Sequence, residues 1–295
     1  MATIRDIKRR IKSVKNTQQI TKAMELVAAA KLRRAQGRAV QARPYADGME
    51  QMLRNLAGTL AAMQHPLTDA RPVKARALLV FASNRGFAGS FNAQVMRFTE
   101  ALLRSDEGPS LRLVLVGKKA HEYFRRRAYP IIQSYTELGD QAQLDVAQAV
   151  TQRAIDMYRS GEVDAVDLIY TKFISAMTRQ VVRAPFLPLG ATGVAPAGGA
   201  PTAAAAPAVA RDYIFEPNAA ELVGRLLPRY ATTRMLQAFA ENHASEHAAR
   251  MLAMGSARKN AGEMIDALVL KRNRLRQATI TKEISEIVGG AEALK

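Results

Sequence analysis

At 295 residues the chain is long enough for one or two domains, and its apolar content of 48% permits a proper core, yet aromatics reach only 6% and Trp is absent. With no Cys, disulfides, thiolate chemistry and cysteine-based metal sites are excluded, and the alanine-rich mix favours long helices over sandwiches or barrels. A formal net charge of +17 calls for an acidic protein, a nucleic acid or an anionic lipid as partner, and the residues must choose among them.

From Thr3 to about Met63 the pattern predicts one long helix, interrupted in composition only by Pro44. Ile4, Ile7, Ile11 and Val14 alternate at spacings of three and four, which is a coiled-coil seam. Asn16, Thr17, Gln18 and Gln19 break the apolar pattern. The seam is expected to resume at Ile20, Met24, Val27 and Leu32, with Ala28 to Ala30 allowing a partner helix to come close. Such a helix would run roughly 80 to 90 Å at about 1.5 Å per residue, too long for a compact domain. Its cations, from Arg5, Lys8, Arg9 and Arg10 through Lys12, Lys15 and Lys22 to Lys31, Arg33, Arg34, Arg38 and Arg43, face only Asp6, Glu25 and Asp47. Because the isoleucine seam runs through this basic segment, the helix needs a buried partner along the same length, unlike a groove-reading basic helix. Stacking aromatics are also absent between Arg5 and Arg43, which weighs against single-stranded nucleic acid. The N-terminus lacks an apolar signal core, so Met1 onward is read as mature structure. The best apolar run, Ala77 to Ala82, falls far short of the roughly 20 residues that span a bilayer.

Between Lys74 and Pro188 the pattern changes to short apolar runs separated by helical stretches. Ala77 to Ala82, Leu111 to Val116, Ile131 to Tyr135 and Ala165 to Tyr170 read as strands, and Gln180 to Pro185 as a further edge strand. Helices fit at Asn92 to Arg104, Lys118 to Arg127 and Leu144 to Ser160. This alternation predicts a small Rossmann-like α/β domain with a largely parallel sheet. Gly190 to Ala210 is built almost wholly of Ala, Pro and Gly and is expected to be a flexible insert. Asn218 can then cap a second long helix, with Leu222, Leu226, Leu236, Phe239, Leu252, Ile265, Leu268, Leu275 and Ile287 as its apolar stripe. Pro228 predicts a kink or a late start, and the Gly289-Gly290 pair a stop. The organisation is therefore 1–63, a coiled-coil helix; 74–188, an α/β domain; 190–210, the insert; and 218–289, the second coiled-coil helix. Two terminal helices with exposed seams bury them economically by pairing antiparallel around the domain.

Two local patterns invite an enzymatic reading. His243, Glu246 and His247 match the inverted zincin order, with two His at i and i+4 and a Glu beside them. A catalytic zinc needs a third protein ligand, and His65 and His121 sit in segments with no motif around them, so no metal is expected. Asn84 to Ser90 (NRGFAGS) follows a strand and precedes a helix, the setting of a phosphate loop, but lacks the Gly-Lys-Ser/Thr ending and the three-glycine dinucleotide pattern. It reads as a tight turn. No nucleophile elbow or Ser/His/Asp order accompanies these, so neither catalysis nor a cofactor is expected. The competing reading of the charge is a basic coiled-coil protein that binds nucleic acid or serves as a scaffold.

Ile7 to Lys31 (IKRRIKSVKNTQQITKAMELVAAAK) resembles the N-terminal helix of the gamma subunits of F-type ATP synthases, and Ile280 to Ala293 (ITKEISEIVGGAEA) resembles their C-terminal signature. Family-like pieces lie between them at Asn84 to Asn92, Lys172 to Ile174, Asp212 to Pro217 and Ala244 to Met254. The resemblance implies an asymmetric antiparallel coiled coil inside a hexamer of alpha and beta subunits. Its α/β domain would be a foot on a ring of c subunits, beside an epsilon subunit. It implies a rotating central shaft, itself non-catalytic, that couples proton or sodium flow to ATP synthesis, peripheral to the cytoplasmic face of a bacterial inner membrane. It implies, further, that Met24, Arg276 and Gln277 meet beta, and that Tyr213, Phe215 and Glu216 meet the c ring. Two features depart from the family pattern: the 190–210 insert and Pro228.

Overall fold

Runs such as ALLVF and LVLV, apolar at consecutive positions, are what a strand covered on both faces requires. In the computed structural model they form a five-stranded sheet: β1 Ala75–Phe81, β2 Ser110–Val116, β3 Ile131–Tyr135, β4 Ala165–Phe173 and β5 Arg179–Leu187. The structure describes residues 3–55, 65–105, 109–136, 143–189 and 218–292. The expected helical residues 56–63, the 190–210 insert, and Tyr213, Phe215 and Glu216 lie outside them. Five helices complete the described elements: α1 Ile4–Asn55, α2 Phe91–Arg104, α3 Lys118–Arg125, α4 Gln143–Arg159 and α5 Ala219–Glu292. The chain divides into two compact units, Lys31–Ala249 and Met1–Ala30 with Arg250–Lys295.

In the first unit the strand order is β3-β2-β1-β4-β5, parallel throughout except for β5, which pairs antiparallel with β4 at the edge as expected. Alternate side chains enter two cores. Leu78, Val80, Leu113, Leu115 and Ile169 meet α2 through Val95 and Met96 and α3 through Ala120 and Phe124. Leu79, Phe81, Val114, Val116, Leu168 and Tyr170 meet α4, the first part of α5, and Met49 and Leu53 of α1. A buried acid interrupts the apolar run of β4. Asp167, 2% exposed, accepts two bonds from Arg76 Nη1 at 3.0 and 2.9 Å and a third from Arg183 Nε, so its burial is compensated.

The second unit pairs the start of α1 with the end of α5. Thr3 and Asp6 close the start of α1 reciprocally: the Asp6 amide donates to Thr3 Oγ1 at 3.2 Å, and the Thr3 amide and hydroxyl donate to Asp6 Oδ2. Those bonds from Thr3, with Arg9 beside them, hold the Asp6 carboxyl below its ordinary value. Ile7 and Ile11 are buried against Ile265, with Val14, Leu268, Val269 and Leu275 around them. Further along, Gln18 lies over Gly262 and Glu25 over Gly255, while Arg258 donates to Glu25 at 2.9 Å. Rising numbers on α1 meet falling numbers on α5, so the pair is antiparallel.

This geometry corrects two positions in the expected second half of the seam, Ile20 and Val27, while Leu32 is buried and Met24 half-buried. Ile20 and Val27 are 60% and 56% exposed, whereas Thr21 and Ala28 are buried. The steps of four and three begun at Ile7 continue unbroken through Ile11, Val14, Gln18, Thr21, Glu25 and Ala28. Backbone periodicity dictates which side chains face the partner, and the apolar residues Ile20 and Val27 sit one position out of phase. Polar residues occupy the seam because α5 presents glycines opposite Gln18 and Glu25, giving their longer side chains room.

Asn218 caps α5 as expected, accepting from the Glu221 amide at 2.8 Å. Pro228 neither delays the helix, which begins before it, nor ends it, and the Pro228 carbonyl accepts a bond from Thr232 Oγ1 at 3.0 Å. The Gly289-Gly290 stop also fails: α5 continues to Glu292. Glycine costs a helix interior only about 1 kcal/mol relative to Ala, and extending an existing helix avoids the cost of nucleation.

Candidate functional site

An open parallel sheet offers a ligand the crevice beyond the carboxyl ends of its strands, at the point where the strand order reverses. Here β1 is followed by β2 on one side and, after β3, by β4 on the other, so that point lies between β1 and β4. The Asn84 to Ser90 turn stands at its rim. Ser83 Oγ donates to the Arg85 carbonyl at 2.6 Å, the Ser83 amide donates to Asn92 Oδ1 at 3.1 Å, and the Lys118 amide donates to Asn84 Oδ1 at 2.9 Å. The side chains of Ser83, Asn84 and Asn92 thus tie the turn to the starts of α2 and α3. Phe87 in this turn has φ 61° and is 70% exposed, an uncommon backbone for a bulky side chain and a strained one. Gly117, opening α3, has φ 107°, and an added Cβ would lie 2.2 Å from the Ala82 carbonyl oxygen. Only glycine permits that approach.

The crevice is filled by the chain itself. Pairing of β1 with β4 ends at Val80 and Ile169, and beyond it the Ala82 amide turns to the Val116 carbonyl of β2. Thr171, two residues further along β4 and 1% exposed, is left without a strand on that side. Helix α5 supplies the missing edge. The Thr171 amide donates to Asn242 Oδ1 at 3.2 Å, and Ser245 Oγ donates to the Thr171 carbonyl at 2.9 Å. Asn242 and Ser245, three apart on one helix face, therefore satisfy both backbone groups of a single strand residue. Apolar contacts flank the pair: Phe239 meets Phe81 edge to face at 4.9 Å between centroids, and Ala249 packs with Ala88 and Phe91. Nearby, Tyr170 is buried against the same helix, and burial, with the Glu241 charge adding to it, pushes its phenol well above the ordinary value, which keeps it neutral.

The zincin-like residues belong to the same stretch of α5. The His243 and His247 rings stack at 6.2 Å between centroids, Phe239 continues the stack at 6.3 Å, and Glu246 lies 3.7 Å from His243 Nδ1. Among the described residues no group of three His, Cys, Asp or Glu is placed to hold a metal ion. No described helix is long and apolar enough to cross a membrane.

The residues expected to contact partners are not gathered into one place. Met24 is half-buried on α1, while Arg276 and Gln277 are exposed on α5. The antiparallel register sets Met24 near Gly255, some twenty residues from Arg276, or roughly 30 Å along the helix at about 1.5 Å per residue. Arg5, Lys8, Arg9, Arg10, Lys12, Lys15 and Lys22 are exposed around the buried Ile7 and Ile11, so the seam does run through the basic segment. Sequence reasoning missed Asn242 and Ser245. Their signal was faint: two small polar residues on a helix, whose partner lies more than seventy residues away along the chain.

Comparison with known proteins follows the same elements. A family model described as ATP synthase matches residues 3–294. The ATP synthase gamma chain of Desulforamulus reducens is 44% identical over 295 residues, covering all of both chains, and that of Moorella thermoacetica is 43% identical over the same extent. The gamma chain of Anaeromyxobacter dehalogenans is 44% identical over 300 aligned residues, again with full coverage of both. A chain in the Euglena gracilis mitochondrial ATP synthase, solved as OSCP/F1/c-ring in rotational state 3, superposes with TM-score 0.67 at 18% identity, covering 99% of this chain and 94% of that one. A chain in the central stalk and c-ring of the Tetrahymena thermophila mitochondrial ATP synthase gives TM-score 0.61 at 24% identity, covering 81% and 99%. These two likenesses concern the fold.

Proposed function

Because the chain belongs to the ATP synthase family, among its gamma chains, we propose that it turns as the non-catalytic central shaft of the enzyme. It carries rotation between a membrane ring of c subunits, driven by protons or sodium ions, and the nucleotide sites of an alpha/beta hexamer. The observation that carries the shaft reading is the antiparallel unit of α1 and α5. Two helices that bury Ile7 and Ile11 against Ile265 and Leu268 resist separation and twisting in a way that one helix cannot. Past Leu275 the single helix keeps Ile280, Ile284, Ile287 and Val288 exposed, a stripe at helical spacing that suits an apolar sleeve provided by other subunits. The non-catalytic reading draws support from the crevice between β1 and β4, which Asn242 and Ser245 occupy instead of a substrate.

Within this reading Met24, Arg276 and Gln277 contact beta subunits, whose acidic loops suit the basic face of α1. Tyr213, Phe215 and Glu216 contact the c ring, and the 74–188 domain is the foot, beside epsilon. The complex stands on the cytoplasmic face of a bacterial inner membrane, with this chain peripheral to it. The experiment is reconstitution. The purified chain alone is expected to hydrolyse no ATP and, added to alpha and beta, to complete an active complex. Full activity of alpha and beta without it, coupled to ion transport in vesicles, would sink the reading.

A further inference from the structure

A shaft must take up turning force where its helix meets the domain being turned, and apolar packing alone does this poorly. Contacts such as Phe81 with Phe239 are non-directional and let surfaces slide at modest cost. The bonds of Asn242 and Ser245 to Thr171 differ in kind. Both end on the backbone of one residue near the carboxyl end of β4, one accepting and one donating. Rotation of α5 by a single residue, about 100°, or a slide of one turn breaks both together. That leaves an amide and a carbonyl unpaired at a site 1% exposed, with Asn242 and Ser245 themselves 4% and 0% exposed, where water cannot replace the partners.

We propose that Asn242 and Ser245, clamped on Thr171, form the joint that locks α5 to the sheet against rotation and sliding, and so deliver turning force from the α/β domain to the helix. They act as positioning residues, touching no nucleotide. The inference rests on the shaft reading, and it adds a stated point of force transfer within Lys31–Ala249.

The test uses the whole complex in inverted membrane vesicles, reading ATP hydrolysis and ATP-driven ion uptake together. Asn242→Ala, Ser245→Ala and the pair are compared with Ser245→Thr, which keeps the hydroxyl, and with Phe239→Leu, which loosens packing beside the clamp but leaves its bonds. In the isolated chain, hydrogen exchange at the Thr171 amide, which donates to Asn242, should rise by roughly tenfold in Asn242→Ala and in the pair, which establishes that the clamp is open there. In vesicles the pair should retain hydrolysis while ions moved per ATP fall several-fold, with each single variant between. Ser245→Thr should restore the ratio, and Phe239→Leu should leave it near wild type even at a matched loss of Tm. An unchanged ratio in the pair despite faster exchange would overturn the proposal, as would equal uncoupling by Phe239→Leu at matched Tm. If the pair fails to assemble, the single variants decide it in the same way. Failure of the shaft reading itself would show elsewhere, as coupled transport by a complex lacking this chain.

Discussion

Gly117 is the residue on which the sheet-to-helix turn depends. The apolar run before it and the basic residues after it mark a strand end and a helix start in the sequence, but the need for glycine arises from Ala82, a residue of another strand's end. Its φ of 107° and the 2.2 Å approach of a would-be Cβ to a carbonyl oxygen add backbone strain to overlap with main chain, which cannot swing away as a long side chain could. Gly117→Ala should therefore lower stability by about 3 kcal/mol or more, read by denaturant unfolding of the isolated chain. A loss below about 1 kcal/mol would mean that β2 and α3 shift freely, contrary to the buried packing of Val116 and Ala120. The same limit on foresight applies to Asn242 and Ser245. Nothing local distinguishes them from other small polar residues on α5, because their meaning lies in the unpaired edge of Thr171, a product of tertiary structure.

Elements were legible where local pattern and tertiary demand coincide, as in the strands, whose apolar runs match their burial on two faces. The seam of α1 shows what happens when they diverge. Choosing the most apolar residues selects Ile20 and Val27, while the heptad phase selects Gln18, Thr21, Glu25 and Ala28, and the phase prevails because a helix cannot turn its face residue by residue. Gly255 and Gly262, spaced by one heptad like Glu25 and Gln18 opposite them, were the available signal. The two phases predict opposite outcomes for two similar mutations. Ile11→Ala removes a side chain 7% exposed and should cost about 2 to 4 kcal/mol, whereas Ile20→Ala removes one 60% exposed and should stay within about 0.5 kcal/mol. Thermal unfolding followed by circular dichroism distinguishes them, and comparable losses at both positions would restore the seam through Ile20.

For the molecule as a whole, the net charge of +17 is a statement about association, since exposed like charges contribute little to holding a fold together. On α1 the exposed cations Lys8, Lys12 and Lys15 surround residues already buried in the seam, and the acids of that segment have partners of their own: Asp6 pairs with Arg9 at 2.7 Å and Glu25 with Arg258 at 2.9 Å. The field of the basic face is thus left to act on other subunits. If those subunits present acidic loops, the field steers encounter more than it sets final affinity, because exposed pairs are screened within a Debye length of about 8 Å at physiological salt. Replacing Lys8, Lys12 and Lys15 together by Gln should leave the Tm of the isolated chain unchanged and slow its association with alpha and beta by roughly tenfold at low salt. The difference should shrink toward nothing as ionic strength rises toward about 1 M, where the screening length is about 3 Å. Stopped-flow assembly kinetics across a salt series reads both. A rate difference that persists at high salt would assign the lysines to direct contacts, and no difference at low salt would remove the basic face from assembly.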